Sequence, residues 1–564
     1  MMKSLERKGD FLMQRMNWKT ITAIYGLTTV AMVAPQMAHA SWPLYKRYEV
    51  PGYSYLPNAA LAVNSYNYAV GSANYTSNAQ DFTAMFGGAN VASTFYTMPN
   101  LWNSMELNSL NSKGQAVGSA YINGRMTAVY TQPGLPYQNM QAGLTYTYQS
   151  FGAGVNHFGI AVGGYNREGT SGVETHMFRY DPVAQARTGD WINLIPGGIN
   201  ENGLMAAVNI KPTNYYKLCE LALVPANGNM TIKNAPGYFT WMQPNSVSTY
   251  GGLTVVGDMT SYLLNASNSY KNGFAYNKSL DKWMILGGVG NQYFETHGLG
   301  VDVWGTKAVG YTVDQNGVQT ATVWEYSNGN WNPTAVSDLL PSDFNWKYTE
   351  ATSISPTGAI SGIGMRRQGE RWVPTSFVLT PNALIRLGAF EGGIYGGLTA
   401  SPTVHLNGRD PFTLTINMGA DSSLIGLLNV VRIEGGETEG SFTMQTKGVD
   451  TKTTVAVSAN LGGYSTVQQY LLLPAVLEGM TVSFGDGGGA GKVMLKGSAG
   501  PSGDTIRMTT SDPNVTVPAT VKIGANQNSA PFRIMVGSGA KRGSLVTITA
   551  TLGDGSVSQA FRVR

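Results

Sequence analysis

Two kinds of side chain in this sequence are equipped for proton chemistry: the histidines and a scatter of carboxylates. The histidines are His39, His157, His176, His297 and His405. None stands at the His/His or Cys/His spacing that holds tetrahedral zinc. Glu295 and His297 could in principle share a metal, but a turn or a hydrogen bond between neighbouring elements is the favoured reading of the pair. Asp181, Glu201, Asp258, Asp302 and Glu350 fall in loops or at strand ends. Carboxylate pairs around a common axis would do the acid–base work of glycoside cleavage. Their spacing does not say which converge, and acids at turns also serve as caps.

Other motifs resolve into structure. Asp314-Gln315-Asn316-Gly317 resembles half a calcium loop, but no acidic ligand follows at the required distance, so a hairpin turn is expected. The glycine-rich stretch 485–491 lacks the Lys-Ser/Thr step and helix of a phosphate loop and reads as a flexible turn. Cys219, the single cysteine, lies in a strand-like run and reads as a small buried hydrophobe. Trp102, Trp241, Trp304, Trp331 and Trp346, beside Asn and Ser, could stack on carbohydrate, while packing between elements claims most of them. No catalytic residue, metal ligand or cofactor is assigned, and the ligand-binding residues stay unknown.

The elements that would position these groups start after a leader. Residues 1–40 hold a basic segment, an apolar run at 21–33 and the step Ala38-His39-Ala40, so cleavage before Ser41 is expected. The leader carries a net charge of +3 out of a whole-chain +4. The remainder is close to neutral, which argues against nucleic acid as a partner. Arg366, Arg367 and Arg371, interrupted by Glu370, read as a solvated turn. No later run is apolar and long enough to span a bilayer, so the expected location is extracellular or the cell envelope.

From residue 41 to about 390 a phrase recurs in which Asn or an equivalent precedes an Ala/Val-Gly step. It is marked by Gly71, Gly118, Gly163, Gly257, Gly310 and Gly362, with Ala207 in the fourth copy. The spacings are 47, 45, 44, 50, 53 and 52 residues. Aromatic-bearing runs follow at 82–86, 126–130, 176–180, 273–276, 322–326 and 376–379, and the Cys219 run takes that place in the fourth unit. This period suits one blade of a β-propeller, which buries its faces only against neighbours. The expectation is a ring of seven blades, closed by a strand from 41–60, with the glycines on crowded axial strands. The Asn-x-x-Gly-x-Ala-Val-Gly phrase and the later aromatic run resemble the bacterial extracellular HAF-repeat family. The resemblance implies an exported propeller and leaves its activity open.

Beyond residue 390 tryptophan disappears and Thr, Val, Ser and Gly take over. Val431-Arg432-Ile433, Phe442 and Val455-Ala456-Val457 return as Val521-Lys522-Ile523, Phe532 and Val546-Thr547-Ile548, an offset of 90 or 91 residues. Strict alternation such as Val455, Val457, Ala459 and Leu461, in two units of this size, points to small β-sandwiches at 391–475 and 476–564, with 392–397 as linker. Ser511-Asp512-Pro513-Asn514-Val515-Thr516-Val517-Pro518 and the final Leu552-Gly553-Asp554-Gly555 resemble bacterial immunoglobulin-like surface domains. The expected fold is therefore all-β: a propeller followed by two immunoglobulin-like sandwiches. The leading functional expectation is a non-catalytic recognition or scaffolding head on a stalk, meeting carbohydrate or another surface protein. The alternatives are a secreted polysaccharide hydrolase or lyase with axial carboxylates, and a structural surface-layer component.

Overall fold

The glycine fixed in each repeat explains how the strands pair. The computed structural model describes residues 45–49, 58–74, 82–88, 91–96, 105–132, 137–141, 147–169, 172–210, 219–236, 239–262, 269–290, 293–340, 346–381, 384–462, 464–485 and 488–563. The leader with Ala38, Ala40 and Ser41, and Trp102, lie outside them. Among the described residues the chain is all-β apart from one 3-10 turn, Val336–Leu339. No helix there is long and apolar enough to cross a membrane.

Seven four-stranded antiparallel sheets occupy the first two thirds of the described chain. Their first strands are Asn58–Val63, Met105–Leu110, Thr147–Val155, Leu194–Ile199, Phe239–Val247, Tyr293–Val301 and Trp346–Ile354. Each first strand touches the next, and the first touches the seventh, so these strands line an axis and the sheets close into a ring. The seventh sheet takes its outer strand from Tyr45–Glu49, paired to Arg371–Pro381 with Tyr45 opposite Pro381. The closing strand thus comes from the segment 41–60, as the repeat count requires.

Every first strand has a register shift at the same place. There the repeat glycine faces it from the second strand: Gly71 opposite Ala60, Gly118 opposite Leu107, Gly163 opposite Gly152, Gly257 opposite Pro244, Gly310 opposite Gly298 and Gly362 opposite Ala351. The glycines therefore do not stand on the axial strands, as the sequence suggests, but one strand outward. The crowding comes from the bulged axial backbone. A Cβ at Gly118, Gly257 or Gly310 would overlap the carbonyl oxygen of Glu106, Gln243 or His297. The third strand then lays an aromatic ring over the bare backbone: Phe178 opposite Gly163, Phe274 opposite Gly257 and Phe377 opposite Gly362, all fully buried.

The asparagine of the repeat has its own task. Each Asn Oδ1 accepts the backbone N–H four residues ahead, at Tyr68, Gln115, Ile160 and Leu204, and so shapes the turn. Its Nδ2 donates to the next sheet's turn, from Asn64 to Asn111 O (3.0 Å), Asn111 to Asn156 O (2.7 Å), Asn156 to Asn200 O (3.3 Å) and Asn200 to Ser248 O (3.0 Å). Thr357 Oγ1 donates to Ser65 O (3.4 Å), joining seventh sheet to first. Each such buried bond stabilises the ring by about 1 kcal/mol.

The tail repeats one sheet pattern twice. Tyr464–Leu473, Thr453–Leu461, Leu414–Ala420 and Val430–Ile433 lie side by side in the first unit. Gly555–Arg562, Leu545–Leu552, Asp504–Thr510 and Thr520–Ile523 do so in the second. The first core includes Leu384, Ile385 and Leu387, so the tail starts ahead of residue 391. The segment expected as a linker is also structural: Ile394–Tyr395 pairs parallel with Leu472 and Leu473. In the glycine-rich stretch the strands Val476–Gly485 and Gly488–Lys496 pair antiparallel, with Gly485 opposite Gly488.

Candidate functional site

The axial strands begin at one mouth of the ring and end, at the asparagine turns, at the other. The two mouths differ. At the turn mouth a short tail segment, 407–412, lies across the ring. Ser65 Oγ donates to Asp410, Trp304 Nε1 donates to Arg409 O (2.7 Å), and the His157 ring stacks on Phe412 at 3.4 Å between centroids. Gly408 packs on Pro356 and Thr357. One short segment thus reaches turns of the first, third, sixth and seventh sheets, which places it over the axis.

Glu201 belongs to this plugged mouth. Its carboxylate accepts the His157 N–H (2.6 Å). Burial, with the neighbouring Asp410 charge, raises Glu201 to about 7 against the hydrogen bond from His157. Burial, with Lys113 nearby, lowers the His157 imidazole to about 4. Asp302 occupies the asparagine position of the sixth turn and accepts the N–H groups of Thr306 (2.8 Å) and Lys307 (3.1 Å). Asp181 likewise caps a turn through Val183 (2.9 Å).

The remaining acids converge nearer the other mouth. The residue opposite the position after the repeat glycine is Phe151 in the third sheet and Ile195 in the fourth. In the fifth, sixth and seventh it is Gln243, His297 and Glu350, and the position after the glycine itself holds Asp258 and Tyr311 in the fifth and sixth. His297 Nδ1 lies 3.4 Å from Asp258 Oδ2 and its Nε2 lies 3.5 Å from Glu295 Oε2. The imidazole stacks on Tyr311, 4.3 Å between centroids and 13° between planes. Gly298 N–H (3.0 Å) and Asn245 Nδ2 (3.5 Å) donate to Asp258, while Gln319 Nε2 donates to Glu350 (3.2 Å).

Burial by itself would lower His297, but hydrogen bonds to Asp258 and Glu295 and their charges outweigh it and raise the imidazole to about 9. At neutral pH it is a cation held between two carboxylates. Burial holds Glu350 above the ordinary carboxylate range, against Gln319 and the His297 charge. Burial and the surrounding acids push the Tyr311 phenol up as well. Among the described residues no set of three or more His, Cys, Asp or Glu has metal-holding geometry. Glu295 and His297 meet as the sequence pairing allows, through a hydrogen bond.

Of the five acids singled out in the sequence, the structure brings Asp258 and Glu350 together and adds Glu295. Tyr311 and Gln319 carry no motif, and only alignment of the repeats by register would have exposed them. The tryptophans divide. Trp331 is buried, Trp304 holds the plug, and Trp346 packs edge-on against Phe377 at 5.4 Å. Trp241 stays 43% exposed near the start of its axial strand, as do Tyr293 and Phe294 on theirs. His405 pairs with Glu439 in the tail (3.0 Å), and Cys219 opens the strand Cys219–Val224.

No family model matches the chain, and no curated protein matches it. Solved structures do. An oligogalacturonate lyase in complex with manganese is 12% identical, with a TM-score of 0.37 over 60% of this chain and 97% of that one. An oligogalacturonate lyase from Vibrio parahaemolyticus is 8% identical, with a TM-score of 0.36 over 60% of this chain and 96% of its own. A polysaccharide lyase is 8% identical, with a TM-score of 0.23 over 67% and 88%. Likenesses of this size carry no argument about the site.

Proposed function

We propose that the chain is an exported enzyme that cleaves polysaccharide by acid–base chemistry at the axial strands of a seven-bladed β-propeller. Two immunoglobulin-like modules form its tail. The leader supports export, and the cyclic contacts of seven four-stranded sheets support the propeller. The observation that carries the activity is the meeting of two carboxyl environments. Burial raises the half-buried Glu350 carboxyl, whereas Asp258 and Glu295 flank an imidazole raised to about 9. Glycoside hydrolysis needs one carboxyl that gives a proton and one that is ionised, and carboxyls in unlike surroundings can divide those roles.

In this reading Glu350 donates its proton to the glycosidic oxygen as the bond to the sugar's anomeric carbon breaks. Glu295, more exposed than Asp258 (22% against 13%), serves as the ionised partner, attacking that carbon or activating a water. His297 fixes Glu295 and Asp258 relative to one another. Tyr311 is a positioning residue beneath the imidazole.

The test is release of reducing ends from a panel of neutral and acidic polysaccharides. Wild type is expected to cleave at least one, and Glu350→Gln to lose roughly a hundredfold or more in turnover while binding is retained. An ultraviolet-absorbing unsaturated product would replace hydrolysis by elimination. Binding of a polysaccharide with no cleavage would favour the second reading, a recognition head, for which the exposed Trp241 and Tyr293 speak.

A further inference from the structure

The arginine-rich turn of the seventh sheet gains a purpose from strand register. Lys347 pairs with Met365 and Glu350 with Ile363, so a bulge of one extra residue lies between them. Residues 363, 365 and 367 alternate onto one face of their strand. The bulge therefore puts Lys347 on the same face as Glu350, where a regular strand would have put it on the other. Arg367 pairs with Trp372, which adds both side chains to this face. Lys347 Nζ lies 4.6 Å from the centre of the Trp372 ring. Arg366 and Trp346, by the same alternation, belong to the opposite face, and Trp346 indeed packs there on Phe377.

One face of the seventh sheet thus runs from the half-buried Glu350, through Ile363 and Met365, to an exposed pair of cations beside an aromatic ring. The four-residue step from 363 to 367 spans about 13 Å, which places the cations beyond the sugar being cleaved and beside a neighbouring one. Arg367 uses Nε on Gly369 O (3.1 Å), one of its five donors. Glu370, on the turn beyond, is the acid nearest in sequence.

We infer that Lys347, Arg367 and Trp372 form a subsite for an anionic sugar unit, so that the polymer acted on is acidic, its charge a carboxylate or a sulfate ester. This rests on the polysaccharide reading above. Trp372 would supply the stacking surface, and the two cations would pair with the acid group. A cationic subsite has a second use here. The reacting carboxylates repel an acidic polymer, and cations to one side orient it without neutralising them.

The test measures binding by calorimetry, using Glu350→Gln as parent so that turnover does not intervene. The probes are oligogalacturonate, a sulfated galactan and a neutral galactan. The parent is expected to bind one or both acidic polymers more tightly than the neutral one, and more weakly as salt rises. Adding Lys347→Gln and Arg367→Gln should cut that affinity about tenfold while leaving neutral binding unchanged. The acidic polymer that responds identifies the charged group. Equal affinity for the neutral galactan, binding of none, or a preference that survives both substitutions overturns the subsite. Cleavage of neutral polymers alone would do so while sparing the hydrolase reading. Both residues are exposed, and unchanged melting of the variant confirms the fold.

Discussion

His176 and His297 have the same dress and different employment. Each lies between two carboxylates and stacks on a tyrosine, His176 with Asp190 (2.9 Å), Glu174 (3.3 Å) and Tyr165. The acids of His176 are partly exposed and meet Arg167 (3.1 Å) and Arg187 (3.5 Å), so charge is balanced locally in a surface network. Of the acids of His297, Asp258 is met instead by amide and backbone donors, Asn245 and Gly298, with the half-buried Glu350 alongside. Hydrogen bonds from neutral groups hold a carboxylate without cancelling its charge. A clamp of this second kind leaves its charge uncancelled, as the proposed activity requires, and the first kind balances it within the surface network.

The sharpest way to break the comparison is to remove the backbone that sets the site. Gly310→Val would drive a side chain into the His297 carbonyl and the buried Trp324. It should destabilise the ring by about 3 kcal/mol or more, or prevent folding, as read by thermal melting. An unchanged melt would mean that the bulge does not crowd the second strand.

Next in size are matched histidine substitutions. His297→Gln should lower turnover at least tenfold, because it leaves Asp258 and Glu295 without the cation between them. His176→Gln should change melting and leave kcat alone. Equal losses of kcat would erase the distinction between the clamps.

The pH dependence of stability sharpens it further. His297 titrates near 6.5 unfolded and about 9 folded, so its contribution is complete below 6.5 and is lost as pH rises through 9. The full loss is about 3 kcal/mol, and Asp258→Asn should shrink it, as denaturant titration across that window would show. A slope unaffected by Asp258→Asn would remove the clamp as its cause.

The smallest effect belongs to the plugged mouth. Glu201 is raised to about 7, so its contribution is present below 4.5 and lost by 7. His157 is lowered to about 4, so stability is gained as pH rises from 4 to 6.5. The two oppose each other over most of that range. Glu201→Gln should therefore leave stability rising between pH 4.5 and 6.5, and a decline there would contradict this pairing.

The repeat was legible because glycine, asparagine and an aromatic recur for reasons that every sheet shares: a bulge to clear, a turn to tie and a bare backbone to cover. The asparagine ladder was visible as a letter and not as a bond, since its partner lies one repeat away. The site was harder to read. Asp258, Glu295, His297 and Glu350 come from three sheets, and only register shows that they meet. The useful signal was a departure from the repeat, with His297 and Glu350 standing where Ala59, Phe151 and Ile195 stand in the first, third and fourth sheets, although the second sheet also carries an acid there, Glu106. The start of the tail was misplaced because glycines at 392–397 looked like a hinge, while Leu384 and Ile385 ahead of them already belong to the next core.

The tail segment lying across the turn mouth closes that end of the ring. A polymer cannot be threaded through it, so sliding along a strand by passage through the hole is ruled out as a mode of travel. If the proposed cleavage takes place beside His297, an arriving chain would compete with a leaving fragment for the same side of the ring. Fragments should therefore act as competitive inhibitors, and each cut should end in release before the next begins.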